Sequence, residues 1–179
     1  MKRKIYLFFV VCASTFTNVT NADIGFRNWD DPDAIPWAEG KHRIPEFPKE
    51  ENLIEFFVQA TATSKYFIDL TSISIGETDG VVRYSMVIKT AGGARNVTYE
   101  GIHCKESSYK IYATGRSNDK WSVNPQPEWK VLKSSSLNIH QDILSRYYFC
   151  PHNIPIYTVD EGQNALKRGG HPNVTSLWD

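Results

Sequence analysis

What most constrains this chain is how short the links between its strand-like runs are. Val82, Tyr84, Met86 and Ile88 alternate with Arg83, Ser85 and Lys89, the period-two pattern of a half-buried strand. Tyr66 to Ile75 is rich in β-branched and aromatic residues, and Leu53 to Ala60 sets Ile54, Phe56 and Val58 on one face. Asp79-Gly80 joins two of these runs with a residue pair that supplies positive φ cheaply to a hairpin turn. Gly92-Gly93 turns the chain into Asn96 to Lys105, and Glu106-Ser107-Ser108 turns it into Tyr109 to Gly115. Parallel neighbours need a crossover of about a dozen residues or more, so these strands are expected to be antiparallel and consecutive. The spacing predicts a meander of about five to seven strands.

Beyond Trp121 and Trp129 the period changes. Ile139, Ile143, Leu144 and Tyr147 recur at helical spacing, with Asn138 and Gln141 as a capping box and Pro151 as a stop. A shorter helix is expected from Val159 to Arg168, with Thr158 and Glu161 as its capping box, Lys167 and Arg168 at the negative end of the dipole, and Gly169-Gly170 as terminator. Strands first and helices last make an α+β fold.

The N-terminus speaks to compartment. Lys2, Arg3 and Lys4 precede the apolar run Ile5 to Val11, and Thr20-Asn21-Ala22 places small residues where a signal peptidase cuts. Residues 1–22 are therefore expected to be a secretory signal peptide, because Ser14, Thr15, Thr17 and Asn18 end the run too early for a membrane span. A rival reading lipidates Cys12, but Val11 is bulkier than the residue a lipoprotein peptidase favours there. Residues 23–51 carry Trp29, Trp37, Ile44, Phe47 and frequent prolines, which exclude a helix or central strand; an extended arm packed on the domain through Trp37, Ile44 and Phe47 is expected. Residues 52–179 form the α+β domain. With 20 basic and 20 acidic side chains the full chain is formally neutral, which argues against nucleic-acid binding by bulk charge. Removing the leader leaves 17 basic against 20 acidic residues, a net −3.

Two cysteines remain after the leader, Cys104 and Cys150, and an oxidising compartment favours pairing them, which would staple the first helix to the sheet. His103 and His152 beside them suggest a metal site as the alternative, though neither Cys-His pair has the two-to-four-residue spacing of ligands sharing a loop. A cysteine nucleophile paired with His103 or His140 would be lost to the disulfide. Asp69, Arg83 and Glu100 fall on strands, where two carboxylates might serve glycoside hydrolysis or, more simply, pair with the arginine across the sheet. No nucleophile elbow, phosphate loop, His-Glu-x-x-His or calcium loop occurs, so no cofactor is indicated. The Asn-x-Thr sequons at Asn18, Asn96 and Asn173 would matter only in a eukaryotic secretory route.

Asp79-Gly80-Val81-Val82-Arg83-Tyr84, Gly93-Ala94-x-Asn96-Val97-Thr98-Tyr99-Glu100-Gly101-Ile102-x-Cys104, Tyr112-Ala113-x-Gly115 and Tyr148-Phe149-Cys150-Pro151 resemble the cryptic neisserial protein family of proteobacterial envelope proteins. Trp37 and Pro45-x-Phe47-Pro48 extend the likeness upstream over nearly the whole mature chain. The resemblance implies a periplasmic domain, in some members a lipoprotein, and brings no catalytic residues with it. The resulting expectation is a non-enzymatic periplasmic module with no membrane span after leader removal. It would bind an envelope protein or small ligand through the surface around Arg83, Glu100, Trp129 and Tyr148. An envelope hydrolase using Asp69 and Glu100, or a metal-binding protein, are the alternatives.

Overall fold

Seven strands pair in one antiparallel sheet, and a computed structural model describes residues 36–133 and 138–174 of the chain. The expected leader 1–22, with Cys12 and Asn18, and the arm up to residue 35, with Trp29, lie outside the described residues. Strands β1 (Leu53–Phe56), β2 (Lys65–Ile75), β3 (Val82–Lys89), β4 (Arg95–His103), β5 (Ser108–Gly115) and β6 (Trp121–Val123) follow one another in space in chain order, and β7 (Lys130–Val131) pairs with β5. This is the α+β meander that the short links predict. The β2–β3 turn differs from the expected two-residue form. Residues 76–81 close it through Gly76 N donating to Val81 O at 3.0 Å and Gly80 N to Gly76 O at 2.9 Å, and in this turn only Gly80 takes positive φ. Asp79 instead turns its side chain inward.

Two irregularities decide what each face presents. Between Asp69 and Ser74, β2 advances five residues while β3 advances two, from Ser85 to Arg83. Side chains mend the interrupted ladder: Asp69 Oδ1 accepts from Thr71 N at 2.9 Å and Thr71 Oγ1 at 2.6 Å, and Ser72 Oγ accepts from Ser85 N at 2.7 Å. In β5 one residue, Tyr112, is extra between the pairs Tyr99–Ala113 and Glu100–Ile111, so Tyr112 joins Tyr99 and Ala113 in a small apolar cluster with Ile44 and Trp121.

The helices cover the other face. α1 (Ile139–Leu144) runs directly into a wider π turn at Ser145–Phe149, and α2 (Val159–Arg168) follows. Ile68, Val82, Tyr84, Met86 and Ile102 from the sheet meet Leu144, Tyr148, Phe149, Ala165 and Leu166 in the main core. Each such side chain, once buried, stabilises the fold by roughly 1.5–3 kcal/mol. α2 forms as predicted: Thr158 Oγ1 accepts from Glu161 N at 3.1 Å, and Gly169 ends the helix at φ 78°. α1 does not use the expected box. Asn138 makes no cap bond, its side chain pairing with Tyr109, and Gln141 turns into the core toward Glu100. Satisfying a buried carboxyl outweighs satisfying a helix end that solvent reaches.

Cys104 and Cys150 form the predicted disulfide, with Cα atoms 5.4 Å apart, and it ties the end of β4 to the end of the π turn. Residues 37–50 of the arm lie along the opposite face. Trp37 stacks on His103, Ile44 joins the Tyr99 cluster, and Phe47 packs on Trp121, so the compact unit begins at Trp37.

Candidate functional site

Cross-strand partners point to the same face, and register therefore sorts the candidate residues. Arg83 pairs with Gly101 and faces the arm; Tyr84 pairs with Glu100, and both face the helices. Asp69, in register with Ser85 and hence Tyr99, belongs to the arm face. The sheet thus separates Asp69 from Glu100, and the two carboxylates do not flank a common cleft as a glycosidase pair would. The four residues Arg83, Glu100, Trp129 and Tyr148 likewise do not share a surface. Arg83 and Trp129 lie under the arm, whereas Glu100 and Tyr148 are inside the core, 1% and 0% exposed. The metal reading fails on covalent grounds, because both thiolates it needs are joined in the disulfide. His103 is held between Trp37 and Trp129, with ring centroids 4.3 and 5.9 Å away, and burial lowers its pKa.

Glu100 is a core carboxyl. Tyr84 OH donates to it at 3.1 Å, Thr98 Oγ1 at 2.6 Å and Gln141 Nε2 at 3.3 Å. Burial outweighs these donors and raises its pKa above the ordinary glutamate value.

Under the arm lies a polar network that the sequence reading largely missed. Arg83, 2% exposed, donates to Asp79 through Nη2 at 2.5 Å and Nη1 at 3.4 Å. Asp79 also accepts from Gly40 N at 2.7 Å and Val81 N at 3.0 Å, and Trp37 Nε1 reaches its carbonyl at 3.0 Å. Glu39 accepts from Lys110 Nζ at 2.5 Å and Tyr112 OH at 2.6 Å and stands 3.6 Å from Arg83. Burial alone would raise both carboxyl pKa values, but hydrogen bonds from Arg83, Lys110, Tyr112 and backbone N–H groups bring Asp79 and Glu39 below their ordinary range. Burial disfavours the Arg83 charge, yet Asp79 and Tyr112 more than offset it and hold the pKa raised. Further along, Tyr99 OH donates to Arg43 O at 3.2 Å and Trp121 Nε1 to Pro45 O at 3.0 Å. The arm is thus fixed strand by strand to the sheet face.

One opening interrupts this seam. Arm residues 40–43 and the β2–β3 turn enclose a cleft of about 420 Å³ whose wall includes Arg83, Lys41 and Arg43. The Lys41-His42-Arg43 run was the available sequence signal, a basic triplet within an otherwise acidic, proline-rich arm.

A meander with helices on one face and a hydrogen-bonded arm on the other, stapled at Cys104–Cys150, defines a disulfide-linked α+β domain. A sequence profile of the CNP1-like family matches residues 32–167, and the chain belongs to that family. Over 193 aligned residues it is 25% identical to Cryptic neisserial protein 1 of Neisseria gonorrhoeae (strain ATCC 700825 / FA 1090), covering 95% of each chain. No solved structure matches it.

Proposed function

We propose that this chain is exported to the periplasm by its basic and apolar leader and acts there as a non-enzymatic binding module of the cell envelope. The working surface is the seam between the arm and the sheet. One observation carries this reading. In the Arg83 network both carboxylates are engaged by structural donors, so these charges hold the arm in place, while in the cleft beside them Lys41 and Arg43 have no ion-pair partners among the described residues. A general base needs a free proton acceptor, and a general acid a proton to give, within reach of a substrate, and here the carboxylate oxygens already face protein donors.

Crosslinking in intact envelopes, followed by native mass spectrometry of the recovered protein, tests the reading. A processed chain beginning at Asp23, recovered with a bound partner or small molecule, is expected. A chain retained in the cytoplasm, or one that runs only as a free monomer with nothing captured, would refute it.

A further inference from the structure

We propose that the cleft between arm residues 40–43 and the β2–β3 turn is a site for a phosphate group, free or carried on a small polar molecule. This assignment rests on the reading of the chain as a binding domain and names the ligand class of that seam. Lys41, Arg43 and Arg83 line the cleft against one carboxylate, Glu77. Asp79 and Glu39 pair with Arg83, and Glu39 also with Lys110, so the excess toward the cleft is carried by Lys41 and Arg43. Lys41 and Arg43 are exposed and make no ion pair or side-chain hydrogen bond among the described residues. Arg83 is their buried counterpart, and its Nε–H has no partner there. Ser74 and Thr78 add neutral hydroxyl side chains to the lining, that of Ser74 hydrogen-bonded to Tyr99.

The backbone is shaped for this opening. A Cβ at Gly76 would fall on the Asp79 carboxylate and the Arg83 guanidinium, and one at Gly40 would come within 2.9 Å of Thr78 Oγ1. Glycine at both places lets arm and turn close around the Arg83–Asp79 pair without side chains filling the space. Guanidinium and ammonium groups with hydroxyl donors match the several acceptor oxygens of a phosphate, and arginine adds a planar fork suited to two of them. Ile75 is the one aliphatic side chain in the lining, so charge rather than apolar area sets recognition.

The test is calorimetric titration of the full chain purified from cells, with inorganic phosphate, glycerol 3-phosphate and, as a cationic control, choline. Saturable binding of at least one phosphate probe by about 10 mM is expected, with choline inert. Lys41→Gln and Arg43→Gln should each weaken binding on the order of tenfold, Glu77→Gln should strengthen it, and Lys49→Gln, elsewhere on the arm, should leave it unchanged. Tighter binding of the ester than of the free ion identifies a carried phosphate, and the reverse identifies the free ion. Absence of binding by both probes, or equal weakening in Lys49→Gln, overturns the site. If a partner is nevertheless captured in envelopes, the binding-module reading survives and only the phosphate assignment falls.

Discussion

Arg83 and Asp79, four residues apart across the β2–β3 turn, form a two-pronged ion pair in which both side chains are almost fully buried. Removing one partner from such a pair leaves a charge without compensation, at a cost of about 3–5 kcal/mol. Asp79→Ala is therefore expected to lower stability by that amount in urea denaturation. It should also free the arm, since Gly40 loses its acceptor, and proteolysis within residues 37–50 should accelerate. The same pair sets an acid limit. The Asp79 pKa in the folded state lies below its ordinary 3.8, so its contribution is fully present above pH 3.8 and is lost as pH falls through the folded value. Glu39 acts in the same sense. A chain carrying Asp79→Asn should lose that acid-dependent segment of its stability curve.

Glu100 works in the opposite direction. Its folded pKa is raised above 4.5, so the folded state holds the proton more firmly than the unfolded chain, and stability declines as pH rises from 4.5 through the folded value. Glu100→Gln removes that titration. The stability of the variant relative to the parent should increase between pH 4.5 and neutrality, as read from paired thermal melts; a difference that stays flat across this range would contradict the buried-carboxyl account.

The antiparallel meander is legible in the sequence because short links leave neighbouring strands little alternative, and β3 is observed over Val82–Lys89, as its alternation predicts. Which face a charged residue takes was harder. Alternation placed Arg83 and Tyr84 on opposite sides, but both sides of this sheet are covered, one by helices and one by the arm, so burial carries no mark of face. Glu100 reads as a surface charge because two of its partners, Tyr84 and Gln141, lie 16 residues upstream and 41 downstream of it. Asp79 looked like a turn residue for the same reason, its ligand Gly40 lying 39 residues upstream. The bulge at Tyr112 has no local sequence signature, and the cleft depends on it only through the way Tyr112 and Tyr99 seat the arm.

Gly101 sits inside β4, near its C-terminal end, where glycine ordinarily weakens a strand. A Cβ there would come within 2.7 Å of the Tyr112 hydroxyl and 2.9 Å of Val81 Cγ1. Gly101→Ala should push Tyr112 off Glu39 at a cost of about 1–3 kcal/mol, the range for overpacking. Arm protection in hydrogen exchange should fall around residues 39–43 while the helix-facing core stays protected. Uniform loss across the sheet would mean that the glycine serves strand pairing and not the arm.

The disulfide joins Cys104, just past the end of β4, to Cys150, at the end of the π turn. It spans 46 residues of sequence, and loop-closure entropy for that length is about 4 kcal/mol, comparable to much of the stability of a domain this size. Cys104→Ser with Cys150→Ser should lower the urea midpoint accordingly and, because the unfolded chain without the crosslink exposes more surface, steepen the slope. The arm network on the far face contains neither cysteine, so its hydrogen bonds should re-form in whatever fraction of the variant folds. Phosphate added to that variant, if the cleft is the site assigned above, should shift the midpoint upward by mass action as it does in the parent. A folded variant that no longer responds would tie the cleft to the stapled helix region, and the two faces of the sheet would have to be regarded as one cooperative unit.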